Sequence, residues 1–340
     1  MTGKKIGVGV IGLGFMGRTH VDAFSRVSEC EIVAVADQDE SRLLGRPSDG
    51  GNLGGVSEER LFDPEFTATF REPGELLSFE DVDVVSITTP TPTHVEIAIA
   101  AIESGRHVLV EKPVDLEVAG IRRISEAARD HGVLAMPAHC MRSWPAWSWM
   151  RDRVKQETFG KVVSASFRRT GAAPGWNAEF YLDDSKSGGA MVDLHIHDSD
   201  FIAHCLGMPS AVVSQGNRRL VRTQYFYEGN LGVEAEGGWL DSPDAPFTME
   251  AEIRCSEATM RFSIDRDPEV HIVHPDGTIS NRPDASVGGT GYHVQARRFI
   301  DAVRLGLEAP PVTMEDAIRT ARLLECELAS MAGGGIRIEV

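Results

Sequence analysis

Residues 6–17, IGVGVIGLGFMG, decide the fold class of this chain. An apolar run ends in Gly12, Gly14 and Gly17, and residues 18–27 continue with a helix-like spacing of apolar side chains. In such a strand–turn–helix, the first glycine permits the tight turn, the second lets the backbone approach a pyrophosphate, and the third allows close packing. The free N–H groups at the start of the helix favour phosphate. The stretch therefore predicts the opening of a dinucleotide-binding domain.

A carboxylate follows at the distance that ribose recognition requires. Asp37 comes 37 − 17 = 20 residues after Gly17, at the end of the apolar run 31–36. A carboxylate there can accept hydrogen bonds from the ribose diol of adenosine, and it would repel a 2′-phosphate. The next two residues are not cations, and Arg42 is the nearest one that could offset the charge. The spacing predicts NAD as the cofactor, with NADP not excluded.

Apolar strands alternate with helices as far as about residue 136. Strand-like runs lie at 82–88, 107–110 and 133–136, and helix-like stretches lie at 95–104 and 117–131. Nearly continuous apolar strands that alternate with helices predict a parallel sheet covered on both faces. The glycine-rich stretch 45–60 interrupts this pattern and is expected to form a surface loop.

The pattern changes from about residue 138 onward. Longer β-like runs lie at 161–170, 211–215, 219–226, 231–239, 247–255, 258–264 and 270–274. One helix is expected at about 189–206, and two more, at about 292–306 and 314–331, close the chain. These runs predict a mostly antiparallel sheet. The expected fold is α/β, with a Rossmann domain over 1–137 and an α/β domain with an open, mostly antiparallel sheet over 138–340.

Composition narrows the classes of partner. The 340 residues are enough for two domains, and 34 Lys and Arg against 51 Asp and Glu give a net charge of −17. Such a chain repels nucleic acid and anionic membranes. The 5 cysteines include no CxxC pair, which indicates free thiols in a reducing compartment, and no segment is long and apolar enough to span a membrane. We expect a cytoplasmic protein without nucleic-acid or membrane partners.

Two further motifs point to chemistry. Lys112, within Glu111-Lys112-Pro113, follows the strand 107–110, and the carboxyl ends of parallel strands line the ligand crevice. Farther along, the segment 188–198 contains Asp193 and His197, which would share one face of a helix at positions i and i+4. Such a carboxylate can orient the imidazole and support its protonated form, as a general base requires.

The pair His195 and His197 raises the alternative of a metal site. Alternate residues share a face on a strand, but on a helix these two would lie about 200° apart. A shared set of metal ligands therefore does not fit the expected helix, and we predict no metal. Asp198 and Asp200 are expected to be solvated or packing polar groups.

The chain resembles the Gfo/Idh/MocA family, named after glucose–fructose oxidoreductase and inositol dehydrogenase. The resemblance covers nearly the whole chain and rests on GLGFMG at 12–17, Asp37, TPTPTH at 89–94, EKP at 111–113, SGGAMVDLHIHDSD at 187–200, and the closing stretch 292–330. It implies hydride transfer at a carbon of a sugar, polyol or cyclitol. It also implies a homo-oligomer, a homodimer or homotetramer, whose interface is often the open sheet.

The resemblance also implies roles for individual residues. Lys112, Asp193 and His197 match the family's catalytic trio. The residues that match cofactor-binding positions are Gly12, Gly14, Phe15, Met16, Gly17, Asp37, Thr89, Pro90, His94, Glu111 and Lys112. The candidate substrate contacts are Trp176, Tyr181, His195 and His293, of which His195 stands where many members carry a small residue.

Two other functions remain open on the sequence alone. The family also contains glycosidases that use NAD in a transient oxidation, which would show net hydrolysis without a net change in cofactor absorbance. A non-catalytic, NAD-dependent sensor would be expected to lack part of the trio. The aromatic stretch 139–149 is not tied to any one activity.

Overall fold

The computed structural model describes residues 4–46, 60–229, 231–283 and 290–340. Most of the loop expected at 45–60 lies outside them. Two compact units are present, one from Met1–Cys140 with Gly289–Ile318 and the other from Met141–Gly288 with Arg319–Val340. The predicted domain boundary after residue 137 stays a prediction. The C-terminal segment is divided between the units, because 289–318 belong to the first and 319–340 to the second.

The first unit is built on a parallel sheet. Its elements up to residue 140 are β1 (Ile6–Ile11), α1 (Phe15–Ser25), β2 (Cys30–Ala36), β3 (Ala68–Phe70), α2 (Pro73–Leu77), β4 (Val84–Ile87), α3 (His94–Glu103), β5 (His107–Val110), α4 (Val118–His131) and β6 (Ala135–Pro137). The strand order is β3-β2-β1-β4-β5-β6, and every pairing is parallel. This confirms the predicted Rossmann sheet, to which the structure adds β3 and α2.

The order of the strands positions the ligand edge. The chain passes outward from β1 through β2 to β3, and then returns to β4 on the other side of β1. In such an open sheet, ligands bind outside the carboxyl ends of the strands at the point where the order reverses. The turn after β1 and the loops after β4 and β5 therefore share one edge.

The second unit is built on a mostly antiparallel sheet. Its elements up to residue 283 are α5 (Pro145–Lys155), β7 (Val162–Ala172), α6 (Ala178–Tyr181), α7 (Asp184–Ser187), α8 (Ala190–Asp193), α9 (Ile196–Leu206), β8 (Ala211–Gly216), β9 (Leu220–Phe226), β10 (Gly232–Leu240), β11 (Thr248–Cys255), β12 (Thr259–Ser263), β13 (Val270–Val273) and β14 (Ile279–Asn281). Among the described strands of this second sheet, only β7 and β10 pair in parallel, and the other pairings are antiparallel.

Three elements close the chain, namely α10 (Gly291–Arg304), α11 (Met314–Ala332) and β15 (Ile338–Glu339). Helix α10 packs on α1, where Phe299 and Ile300 join the buried cluster that contains Val21 and Phe24. Strand β15 adds to the second sheet, whose order is β14-β13-β12-β11-β7-β10-β9-β8-β15. None of the described helices combines the length and the apolar character that crossing a bilayer requires.

The aromatic stretch 139–149 forms core. The side chain of Trp147, on α5, is fully buried, and its ring lies 4.6 Å from Phe201 and 5.3 Å from Phe262, both nearly edge to face. The Arg169 guanidinium lies 5.4 Å from the centre of the same ring. Burial of large aromatic rings is a main source of core stability, so Trp147 anchors α5 and α9 against the sheet.

The helix predicted over 189–206 is wrong as a single element. It is divided into α8 and α9 at Leu194 and His195. At this division the His195 N–H donates to the Ala190 carbonyl five residues earlier, at 3.0 Å, instead of the fourth. Asp193 and His197 therefore stand on two different helices, Asp193 as the last residue of α8 and His197 in the first turn of α9.

Candidate active site

The turn between β1 and α1 leaves space for a phosphate group. Gly12 has a φ of +88°, which favours glycine, and the Thr88 hydroxyl donates to its carbonyl at 2.7 Å. A Cβ at Gly17 would collide with that same carbonyl. By contrast, a Cβ at Gly14 would meet no atom of the described chain within 4 Å. Packing within the protein thus does not require a glycine at 14, whereas the approach of a pyrophosphate does.

Asp37 holds this turn in place. Its carboxylate accepts the Leu13 N–H at 2.6 Å and the Asp39 N–H at 2.9 Å, and only 8% of its side chain is exposed. The Arg42 guanidinium lies 3.3 Å from the same carboxylate and is itself 40% exposed. The carboxylate that would meet the ribose therefore already has a cation beside it, as the sequence allowed.

The loop that carries Lys112 is fixed from within the sheet. Glu111 is buried, and one of its carboxylate oxygens accepts the Lys112 N–H at 3.0 Å. The other lies 3.0 Å from His20 Nε2, while His20 Nδ1 lies 2.7 Å from the Ser86 hydroxyl. Burial favours a higher pKa for Glu111, but the hydrogen bond from His20 and the charges of His20 and Lys112 outweigh it, so the pKa falls below its ordinary value. An ionised Glu111 thereby ties the backbone of Lys112 to α1.

His94 joins the loops that follow β4 and β5. It is buried, with Nε2 at 2.7 Å from the Thr89 carbonyl and Nδ1 at 3.0 Å from the Pro113 carbonyl. Burial lowers the pKa of His94, against the opposing effect of those carbonyls and of Glu111. A neutral imidazole has one N–H and so donates to one of these carbonyls at a time. Because both ring nitrogens face backbone carbonyls, His94 lies between the two loops and turns neither nitrogen toward a cofactor.

Asp193 and His197 are half-buried in the second unit, while their neighbours His195, Asp198 and Asp200 are buried. Asp193 ends α8 and His197 lies in the first turn of α9. A carboxylate and an imidazole within five residues of each other thus remain accessible in a segment whose other titratable side chains point inward. Contact with a ligand is one condition that a proton-transferring group must meet.

Comparison with known proteins places this geometry in a family. A profile described as "Oxidoreductase family, NAD-binding Rossmann fold" matches residues 6–139, and the C-terminal domain profile of Gfo/Idh/MocA proteins matches residues 147–279. A trans-1,2-dihydrobenzene-1,2-diol dehydrogenase of Sus scrofa is 31% identical over 316 residues, which are 88% of each chain. The chain belongs to the Gfo/Idh/MocA oxidoreductase family. It is accordingly an NAD-binding dehydrogenase or reductase.

Other matches extend over most of the chain. The scyllo-inositol 2-dehydrogenase (NAD(+)) of Bacillus subtilis is 28% identical over 324 residues, or 91% of this chain and 89% of that protein. A solved levoglucosan dehydrogenase, in complex with NADH and levoglucosan, superposes with a TM-score of 0.82 over 99% of this chain and 100% of that chain, at 19% identity. The structural match supports the fold of a Gfo/Idh/MocA protein.

Asp198 and Asp200, predicted to be solvated or packing polar groups, are packing polar groups, since both are buried. Asp198 forms an ion pair with Arg169 at 2.9 Å, and Asp200 forms one with Arg142 at 2.7 Å, and all four side chains are at most 5% exposed. Both pairs fasten α9 within the second unit. Within the described residues, no group of three or more His, Cys, Asp or Glu side chains is arranged to hold a metal ion.

The candidate substrate contacts differ in their burial and in their partners. His195 is fully buried and His293 is paired with Asp22 at 2.8 Å on the first unit, so neither presents a free ring nitrogen to a ligand. Tyr181 is half-buried, with its ring edge to face on Trp239 at 6.0 Å. The side chain of Trp176 lies outside the described residues. A substrate contact at Tyr181 stays a prediction.

One residue of the site was missed from the sequence. His20 lies on α1, and its spacing after Gly17 resembles that of any buried helical residue. Its contact with Glu111 spans 91 positions of the chain, so periodicity could not reveal it. The only local signal was a polar side chain on the apolar face of the helix, next to the glycine turn.

Proposed function

We propose that this chain is an NAD-dependent dehydrogenase that oxidises a secondary hydroxyl on a ring bearing neighbouring hydroxyl groups, in a cyclitol, sugar or related polyol. The names of the inositol and dihydrodiol dehydrogenases among its relatives both describe such rings. The observation that carries the proposal is the fixed loop of Lys112, which the Glu111 carboxylate holds at the same sheet edge as the glycine turn.

The residues of the cofactor site fit a dinucleotide. The open space at Gly14 would take the pyrophosphate, Asp37 would accept the ribose hydroxyls, and Thr89, on the loop after β4, would face the nicotinamide. Bound NAD supplies the acceptor for the hydride of the substrate carbon. We propose NAD over NADP because the Asp37 carboxylate disfavours a 2′-phosphate.

Side chains of the protein would accept the proton of the reacting hydroxyl and stabilise the charge that develops on its oxygen. His197 accepts the hydroxyl proton, since histidine changes charge near neutral pH, and Asp193 orients its imidazole. The Lys112 ammonium donates to the substrate oxygen and offsets the alkoxide charge as it develops. The half-buried positions of Asp193 and His197, which leave part of each side chain exposed, support these roles, because a fully buried pair could not exchange a proton with a ligand.

A substrate panel tests the proposal. The purified protein is mixed with NAD and with inositol isomers, levoglucosan, aldoses, sugar acids and trans-dihydrodiols, while nicotinamide absorbance is followed. We expect NAD reduction with at least one ring polyol and little with straight-chain primary alcohols. Hydrolysis of glycosides without a net change in absorbance would instead favour a transient-oxidation glycosidase. Tight NAD binding with no turnover on any compound would favour a sensor.

The proposal extends to assembly and location. A homodimer or homotetramer is proposed through the exposed face of the nine described strands of the second sheet, where ion pairs such as Arg222 with Glu234 at 2.8 Å cross neighbouring strands. Five free cysteines suit a reducing compartment such as the cytoplasm. Light scattering on the eluted protein measures the assembly, and a monomer at all concentrations would contradict that part of the proposal.

A further inference from the structure

A buried polar cluster lies behind the segment that carries Asp193 and His197. We call it the Glu327 cluster, and its members are Glu327 on α11, His195 and Ser199 at the start of α9, and Thr223 and Tyr225 on β9. The Glu327 carboxylate accepts from Ser199 at 3.0 Å and from Thr223 at 3.1 Å, and it lies 2.9 Å from His195 Nε2. All five side chains are at most 2% exposed.

His195 is enclosed on every described side. A Cβ at Gly237 on β10 would lie 2.7 Å from its Nδ1, so the imidazole rests directly on the backbone of that strand. The Tyr225 hydroxyl lies 3.2 Å from Nε2 and 3.0 Å from the Ser199 hydroxyl. Nε2 is thus the ring nitrogen that faces Glu327, and it donates the hydrogen bond wherever the carboxyl is ionised, because a carboxylate only accepts. Nδ1 has no hydrogen-bond partner among the described residues. Glu327 is therefore the group that fixes the orientation of this ring.

The cluster acts on the backbone that separates Asp193 from His197. His195 is the residue at which α8 gives way to α9, and its N–H donates to the Ala190 carbonyl at 3.0 Å. Burying a carboxylate is costly, and an apolar residue at 327 would fill the same space without that cost. A carboxylate at 327 contacts Thr223 on β9 and both His195 and Ser199 at the start of α9 through polar atoms. An apolar residue could not form these contacts, which hold the start of α9 in one position against the strand.

We propose that Glu327 is a positioning residue, which through His195 sets the turn that presents Asp193 and His197 to the substrate. The inference rests on the proposed function. It predicts that the cluster controls the rate of the proton transfer and leaves cofactor binding alone, because the glycine turn and Asp37 belong to the first unit. Misplacing a catalytic group by about 1 Å can lower turnover roughly a hundredfold.

The first test replaces Glu327 by glutamine, which keeps the shape but turns one acceptor into a donor. We expect kcat to fall at least about tenfold, with KM for the substrate changed less than about threefold and NAD affinity unchanged. Ser330→Ala is the matched control, since Ser330 is buried on the same helix and accepts the Ser214 N–H on β8 at 2.8 Å, without a bond to His195. An equal effect of both variants on kcat, once scaled to the folded fraction, would overturn the inference.

A second pair of variants tests the contact between His195 and Glu327 from the other side, and so does not depend on whether Glu327→Gln folds. His195→Gln can place an amide N–H where Nε2 lies, whereas His195→Asn is too short to reach Glu327. We expect kcat to be retained far better in His195→Gln than in His195→Asn, and equal values would overturn the inference. His197→Ala separates this from the proposed function. If His197→Ala is also fully active, the proposed chemistry fails; if it is inactive while the Glu327 and His195 variants are normal, only the positioning role fails.

Discussion

At the scale of the residue, Asp37 performs two tasks with one carboxylate. It holds the Leu13 N–H of the glycine turn and stands beside Arg42. We predict that Asp37→Ala narrows the preference for NAD over NADP by at least about tenfold, because it removes the repulsion of a 2′-phosphate and leaves Arg42 free to meet it. Fluorescence titration with both cofactors measures this. An unmodified protein that binds NADP as tightly as NAD would contradict the premise.

His94 supplies a pH dependence of stability. Burial lowers its pKa from the ordinary 6.5, so the folded chain binds this proton less readily than the unfolded chain. The contribution of His94 to the free energy of unfolding is therefore complete above about pH 6.5, the pKa in the unfolded chain, and it is lost as the pH falls from there toward the lower pKa in the folded chain. We predict that unfolding free energies measured by denaturant from about pH 8 to about pH 5 decline less steeply in His94→Asn.

Two comparisons check that prediction. The pKa of the half-buried His107 is also lowered by burial, so His94→Asn should reduce the slope without abolishing it. His131, an exposed histidine on α4, provides the control, and His131→Asn should keep the slope of the parent protein. A slope in His94→Asn equal to that of the parent would show that the buried imidazole does not act in this way.

Single residues differed in how far the sequence could predict them. The turn and packing roles of Gly12 and Gly17 were predictable because they follow from backbone geometry at fixed spacing, whereas the ribose contact of Asp37 stays a prediction. His20 and Glu327 were not predictable, because each acts through a partner far along the chain, at separations of 91 and 132 positions. Polar contacts of that kind leave no periodic signal, so their roles emerge only when the fold is known.

At the scale of the element, the strand–turn–helix offers a matched pair of glycines. Ala at 17 would collide with the Gly12 carbonyl, whereas Ala at 14 meets open space. We predict that Gly17→Ala destabilises the fold, while Gly14→Ala keeps the melting temperature of the cofactor-free protein and weakens NAD binding at least about tenfold. Calorimetry with and without NAD separates the two. Normal NAD affinity in Gly14→Ala would mean that the pyrophosphate does not pass over this turn.

Element prediction succeeded where a repeating pattern was long and failed where it was short. The runs at 107–110 and 219–226 became β5 and β9 because alternation or a continuous apolar run defined them. Strand β3 has three residues, too few for a pattern. The division between α8 and α9 was missed because the local sequence is helix-like throughout, while His195, at the division, contacts Glu327 at a separation of 132 positions.

At the scale of the whole molecule, the two-domain α/β plan could be predicted because each half repeats its own pattern many times. The return of α10 to the first unit could not, since nothing in residues 291–304 by themselves indicates that they pack on α1. The acidic charge of −17 disfavours nucleic-acid partners, but it does not distinguish one uncharged ring polyol from another as the substrate. Substrate identity therefore depends on the panel.

We propose that, at one substrate hydroxyl, His197 accepts the proton and Lys112 offsets the negative charge of the oxygen. The measurement that tests it most directly is kcat for Lys112→Met and His197→Ala on the best substrate of the panel, with NAD affinity measured in parallel. His204→Ala, a histidine on the same helix α9 that bonds to Arg151, is the control. We predict a loss of at least about 10²-fold in each catalytic variant, unchanged NAD affinity, and near-normal turnover in the control. Near-normal turnover in Lys112→Met or His197→Ala would contradict the account.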